Sequence, residues 1–139
     1  MSMNKWKLAL AAASAIILPL TFAASAEARG TSGSVTTTDS GIAGGTGFFW
    51  YDGNGAQPAN KSVIGARDNQ ADGKGVWVRV SWARSPYAAI VMDTNGASNG
   101  VVTKVVTIPD GTPVTLEVCL RDSDASPTLR YCNSRDFVA

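Results

Sequence analysis

Cys119 and Cys132 are the residues of this chain whose type and placement most directly imply chemistry. They form no Cys-x-x-Cys pair, and no helix start flanks either sulfur to lower a thiol pKa. A structural bond is therefore expected over a redox couple. The chain has no histidine, which removes the usual general base, the Ser-His-Asp and Cys-His relays and most zinc sites. Acid–base work would fall to carboxylates. Beyond residue 28 the single glutamate is Glu117, close to Cys119. Asp52, Asp72, Asp93 and Asp110 stand in separate turn segments. They would have to meet at one end of the fold to make a carboxylate-only hydrolase, and turns recruit Asp for local hydrogen bonding anyway. The same region has no Ser-x-x-Lys or Gly-x-Ser-x-Gly motif. No catalytic residue is assigned, and the protein is not expected to be an enzyme.

Two polar motifs have a functional reading beside a plain one. Asp68-Asn69-Gln70-Ala71-Asp72-Gly73 matches the first half of a calcium loop, with oxygen-bearing residues at alternate positions and Gly73 at the sharp turn. Arg79 stands where the closing bidentate Glu belongs, so a polar hairpin loop is the better reading unless carboxylates from elsewhere complete the site. No metal or cofactor is assigned. Asn60-Lys61-Ser62 fits a glycosylation sequon, which carries little weight if the source is bacterial.

The aromatic residues offer a recognition surface. Phe48-Phe49-Trp50-Tyr51 puts rings on both faces of one strand. Trp50 and Trp82 are expected in the core. Trp77 and Tyr87, with Arg79 and Arg84 at the rim, are the candidate binding residues, because exposed aromatics stack on sugars or anchor a protein partner.

The elements that hold these residues read as strands. Asp52-Gly53-Asn54-Gly55, Asp72-Gly73, Asn95-Gly96, Asn99-Gly100 and Asp110-Gly111 are turn signals, since Gly and Asn tolerate positive φ. Between them lie candidate strands Gly47–Tyr51, Lys61–Arg67, Gly75–Ala83, Tyr87–Met92, Gly100–Ile108, Pro113–Arg121 and Thr128–Asn133. No sustained helical period interrupts them. About seven short strands at this spacing predict a small antiparallel β-sandwich, immunoglobulin-like or related. In the third strand Val76, Val78, Val80 and Trp82 share one face, and Trp77, Arg79 and Ser81 the other. In the sixth, Val114, Leu116, Val118 and Leu120 oppose Thr115, Glu117, Cys119 and Arg121. The fifth, Val101 to Ile108, is apolar on both sides and reads as central or as covered by the segment before Gly47.

Register gives the cysteines a geometric reason to pair. If the last two strands form a hairpin with Cys119 opposite Cys132, both project from the outer face. Leu120 then faces Tyr131 on the core side, and Arg121 faces Arg130, with Asp122 and Asp124 close enough to offset the like charges. Closing a loop of this length stabilises a chain by ~3 kcal/mol in the chain-entropy account.

The N-terminus resembles an export signal. Lys5 and Lys7 precede an apolar run from Leu8 to Leu18, then Pro19 and small residues that permit cleavage after Ala26 or Ala28. Residues 1–28 are read as a signal peptide, 29–46 as a flexible Gly/Ser/Thr-rich leader with one edge strand near Gly33–Thr38, and 47–139 as the sandwich domain. Removing Lys5 and Lys7 from twelve basic residues, and Glu27 from eleven acidic ones, leaves ten of each. Zero net charge argues against nucleic acid, which demands a basic footprint. The mature protein is expected to be secreted, monomeric and free of the membrane.

The signal-like start, the Ala71-Asp72-Gly73 turn before an alternating strand, and the Cys119…Tyr131-Cys132 hairpin together resemble small secreted actinobacterial proteins. The resemblance covers the chain from about Gly47. It implies a short β-sandwich with a disulfide near the C-terminus and carries no catalytic residue. Small secreted amylase inhibitors are similar in size and class, but their Trp-Arg-Tyr recognition triplet is absent here. The expected function is a disulfide-stabilised, non-catalytic binding or structural module with an extracellular protein or glycan partner. The alternatives are an inhibitor of an extracellular hydrolase, presenting the Asp122–Leu129 loop, and then the carboxylate hydrolase.

Overall fold

A computed structural model describes residues 30–52, 60–82, 88–122 and 128–139. Their strands are β1 (Gly33–Thr36), β2 (Gly45–Trp50), β3 (Lys61–Asp68), β4 (Gly75–Trp82), β5 (Ala88–Asp93), β6 (Val102–Thr107), β7 (Pro113–Arg121) and β8 (Leu129–Val138). Two antiparallel sheets result, ordered β1-β2-β3-β6 and β5-β4-β7-β8. The chain crosses between sheets after β3, β5 and β6, which is Greek-key connectivity of the immunoglobulin-like kind with β1 added at one edge. Among the described residues no helix is long and apolar enough to cross a membrane.

Alternation builds the core. Val76, Val78 and Val80 of β4 and Val114, Leu116, Val118 and Leu120 of β7 all face inward and are buried, as their period-two spacing predicts. Val35, Phe49, Ile64, Ala66 and Val106 meet them from the other sheet, and Trp82 packs at the margin. Each such Val, Leu, Ile or Phe side chain contributes roughly 1.5–3 kcal/mol when fully buried. Gly45 and Gly47 let the sheets approach: a Cβ at Gly45 would stand 2.8 Å from Val76, and one at Gly47 3.2 Å from Val78 and Val118. Phe137 of β8 reaches across to Phe49, with ring centroids 5.5 Å apart.

Four expectations are corrected. The anticipated edge strand is β1, and β2 starts at Gly45, so the sandwich begins ahead of Gly47 and has eight strands among the described residues. Val35 of that segment is a core residue. The second correction concerns β6, which is neither central nor covered by the leader. It is the edge opposite β1, with Val106 in the core and Val105 49% exposed. Its β-branched residues favour an extended chain whether or not both faces are buried. Third, Trp50 is not a core residue. Phe49 takes the inward position, so Phe48 and Trp50 share the outer face and stack at 5.1 Å with 4° between planes. Fourth, the β7–β8 register is not the continuous one. Val118 pairs with Asn133 but Leu120 with Arg130, so Cys119 stands against both Tyr131 and Cys132 in a β-bulge. Tyr131 adopts a φ of +53° and is half exposed instead of packing on the core side.

One end of the sandwich collects residues 37–44, 69–74 and 94–101 with the end of β7. The other collects Asp52, Asn60 and residues 108–112.

Candidate functional site

The outer face of the β5-β4-β7-β8 sheet carries Trp77 at its centre. Trp77 pairs laterally with Cys119 on β7 and with Met92 on β5. One position along, Arg79 pairs with Glu117 and Ile90. Because outward residues repeat every second position, Ile90 and Met92 flank the indole, and Leu129 enters from β8 opposite Arg121. Trp77, Ile90, Met92, Arg121 and Leu129 line a shallow groove of about 370 Å³. Ile90, Met92 and Leu129 are 40%, 41% and 38% exposed.

Two arginines edge this apolar floor. The Arg79 guanidinium lies 5.5 Å from the Trp77 ring centroid and forms a 2.8 Å ion pair with Glu117. Such a cation over an indole face is worth roughly 0.5–1 kcal/mol at an exposed site. Arg121 donates to the Met92 sulfur at 3.1 Å. The Cys119–Cys132 disulfide joins β7 to β8 directly beside Trp77, as the sequence predicts. Its partner geometry differs from the predicted hairpin through the bulge alone. Arg130, displaced from Arg121, pairs instead with Asp122 at 2.8 Å.

The structure thus unites Trp77 and Arg79. Tyr87 and Arg84 lie outside the described residues. Ile90, Met92 and Leu129 were not singled out from the sequence. Alternation groups Ile90 with Met92, but Ala89 and Val91 make the opposite face equally apolar, so nothing in β5 alone says which side faces out.

The four aspartates Asp52, Asp72, Asp93 and Asp110 do not assemble into one cleft. Asp72 and Asp93 sit at one end of the sandwich, and Asp52 and Asp110 at the other. Each of the three with described partners works locally. Asp72 accepts from the Lys74 backbone N–H and ion-pairs its ammonium at 3.0 Å. Asp93 accepts from the N–H groups of Asp68 and Asn95 and from the Asn99 amide. Asp110 accepts from the Asn60 N–H, and the Asn60 side chain accepts from Asp110 N–H in return. Asn60 of the sequon is held in that clasp, and Ser62 is buried. Glu117, Cys119 and Cys132 bring possible metal-ligand atoms within 4.8 Å of one another, but the two sulfurs are bonded to each other and are not thiolates.

The calcium-like stretch is spent on structure. Asn69 donates its amide to Ala43 O and Thr46 Oγ1, and Gln70 donates to Ile42 O, so both tie down the 37–44 loop. Asp68 accepts from the Gln70 N–H through Oδ1 at 2.9 Å, an Asx turn. Its Oδ2 is buried with no hydrogen-bond partner among the described residues. Burial pushes the Asp68 carboxyl above its ordinary value, and the Asp93 and Asp72 charges add to that; the Gln70 N–H pulls the other way.

No family model, curated protein or solved structure matches this chain.

Proposed function

We propose that the protein is a secreted, non-catalytic binding module that recognises an extracellular protein through the Trp77 face. The groove carries the reading: Trp77 with three exposed aliphatic or thioether side chains, bordered by Arg79 and Arg121. Aromatic, Met and Arg side chains are the types enriched at protein interfaces. A glycan surface would call for an open ring platform with several hydrogen-bonding side chains, whereas Ile90 and Leu129 offer none and the Met92 sulfur is a weak acceptor that already takes Arg121. The disulfide and the bulge fix β7 against β8, so little ordering cost accompanies binding. Export fits the disulfide, which persists in oxidising compartments, and the signal-like N-terminus.

The test compares wild type with Trp77→Ala and Met92→Ser as baits against secreted and envelope fractions of the producing cell, beside a glycan array. A protein retained by wild type and lost by both variants, with circular dichroism unchanged, supports the reading. Identical capture by all three baits refutes it. Capture on the array alone moves the partner class to glycan. Intact mass of protein recovered from the medium tests export: loss of residues 1–26 or 1–28 is the expected result.

The inhibitor reading keeps one observation in its favour. The Cys119–Cys132 bond clamps both ends of the connection from Asp122 to Leu129. Inhibition of secreted proteases or glycosidases at micromolar protein, unaffected by Trp77→Ala, would favour it.

A further inference from the structure

The Trp77 groove holds one sulfur that an oxidant can still change. Beyond residue 28 the chain has a single methionine, Met92, and its two cysteines are already joined to each other. A peroxide reaching this surface therefore meets one thioether and no thiolate. Met92 lies on the outer face of β5, the edge strand of its sheet, is 41% exposed and lines the groove. Its sulfur accepts a hydrogen bond from Arg121 Nη1 at 3.1 Å, on the exposed side of the sheet. Arg121 stands on β7, and β4 runs between it and β5. The guanidinium can cross β4 because the outward position opposite Arg121 is Gly75, which has no side chain to stop it.

We infer that Met92 is a site of peroxide modification, and that its sulfoxide is held by Arg121 and closes the groove to an apolar partner. The step is an oxygen transfer from hydrogen peroxide. A sulfur lone pair attacks one peroxide oxygen, and the S–O bond forms as the O–O bond breaks. The leaving hydroxide takes up the proton shed by the transferred oxygen and departs as water. The thioether is oxidised by two electrons and the peroxide is reduced by two. Arg121 is already in place for the product. A thioether is a weak acceptor, whereas the sulfoxide oxygen is polar and one bond from the atom on which the guanidinium rests, so the contact becomes a charge-assisted hydrogen bond to a better acceptor. That oxygen has acceptor capacity beyond what one donor fills. A partner laid over Ile90, Met92 and Leu129 then buries an unmet polar group. This last consequence rests on the Trp77 face being the recognition face; the chemistry at Met92 does not.

The test treats the purified protein with hydrogen peroxide in modest excess. Peptide mass mapping should place one oxygen atom on Met92, ahead of any tryptophan, and the same peptide of Met92→Leu should take up none. In an isotopically labelled sample the Arg121 side-chain N–H signals should move on oxidation and exchange with water more slowly, with circular dichroism unchanged. Oxidation of Met92 more than about tenfold slower than that of acetyl-methionine amide overturns the proposal. So does oxygen landing first on a tryptophan, or Arg121 signals that stay in place. Reduced and oxidised wild type then serve as baits against the secreted and envelope fractions. Capture about tenfold weaker after oxidation is expected, while Met92→Leu, whatever its own level, captures equally before and after peroxide. Equal capture by the two forms of wild type overturns the closing of the groove. If reduced wild type captures nothing, the recognition reading has failed instead, and the mass and guanidinium readouts decide the Met92 site on their own.

Discussion

The two outer sheet faces each carry a tryptophan and treat it in opposite ways. On the β1-β2-β3-β6 sheet, Trp50 lies parallel to Phe48 and over Gly65, where a Cβ would come within 2.8 Å of the indole. Ring, ring and glycine fill one another's space. On the β5-β4-β7-β8 sheet, Trp77 has no stacked ring among the described residues; its neighbours are a disulfide, exposed Ile90, Met92 and Leu129, and an arginine. One face is closed by its own side chains and the other presents them. Half-burial alone does not separate the two tryptophans. What separates them is whether the contact surface of the ring is used within the chain.

The disulfide belongs to the presenting face, and its loss is the largest effect expected. Cys119→Ala with Cys132→Ala should cost about 3 kcal/mol, the entropy of freeing a loop of this length. Urea denaturation of oxidised protein and double variant gives the number. A loss below about 1 kcal/mol would mean that the bulged β7–β8 pairing holds itself, and that the presenting face is no more dependent on a staple than the other.

Gly65→Val probes the closed face. The added carbons meet Trp50 and Val101, and overpacking of this kind costs about 1–3 kcal/mol. A neutral result would show that the Phe48–Trp50 stack swings away freely, which would dissolve the contrast between the faces.

Paired truncations sharpen the same contrast. Trp50→Ala should lower stability and leave partner capture unchanged. Trp77→Ala should lower stability less, and weaken capture by tenfold or more, as expected for an anchor residue worth at least about 1.4 kcal/mol. Melting curves and binding isotherms on both variants give the four values. If the losses fall the other way round, the recognition face has been assigned to the wrong sheet.

How much of this was legible depended on whether alternation was one-sided. In β4 and β7 the rows Val76-Val78-Val80 and Val114-Leu116-Val118-Leu120 leave a single way to face the core, and the structure uses it. In Gly47-Phe48-Phe49-Trp50 both rows are aromatic, and the choice was made by glycines: Gly45 and Gly47 join Phe49 on the inner face because the facing sheet comes close there. β6 and β5 are apolar on both sides, so neither the edge position of β6 nor the outward turn of Ile90 and Met92 could be read from their residues. The bulge was hidden for another reason. Positive φ is the habit of Gly and Asn, and here Tyr131 adopts it, held between the disulfide at Cys132 and a backbone hydrogen bond from Thr38 N–H to Tyr131 O at 3.0 Å.

The contrast between groups satisfied by the chain and groups left open recurs at the end of the sandwich that collects residues 37–44 and 69–74, where it predicts the smallest effects and opposite pH signs. Burial opposes ionisation of Asp39, but hydrogen bonds from the Thr37 hydroxyl and the Gly44 N–H outweigh it and hold the carboxyl below 3.8. Its contribution is therefore present above pH 3.8 and lost as pH falls through the lower folded value. Asp39→Asn should destabilise by about 0.5–1 kcal/mol near neutrality, with the difference shrinking as the pH drops below 4. Asp68 runs the other way, because its folded value lies above 3.8. Stability linked to it is full below that value and declines as pH rises through the raised one. Asp68→Asn should therefore gain on wild type as pH climbs from about 4, then keep a constant lead. Stability measured from pH 3 to 7 on the three proteins separates the slopes. Parallel curves for wild type and Asp68→Asn would mean that Asp68 is as well satisfied as Asp39, and the distinction between the two carboxylates would fail.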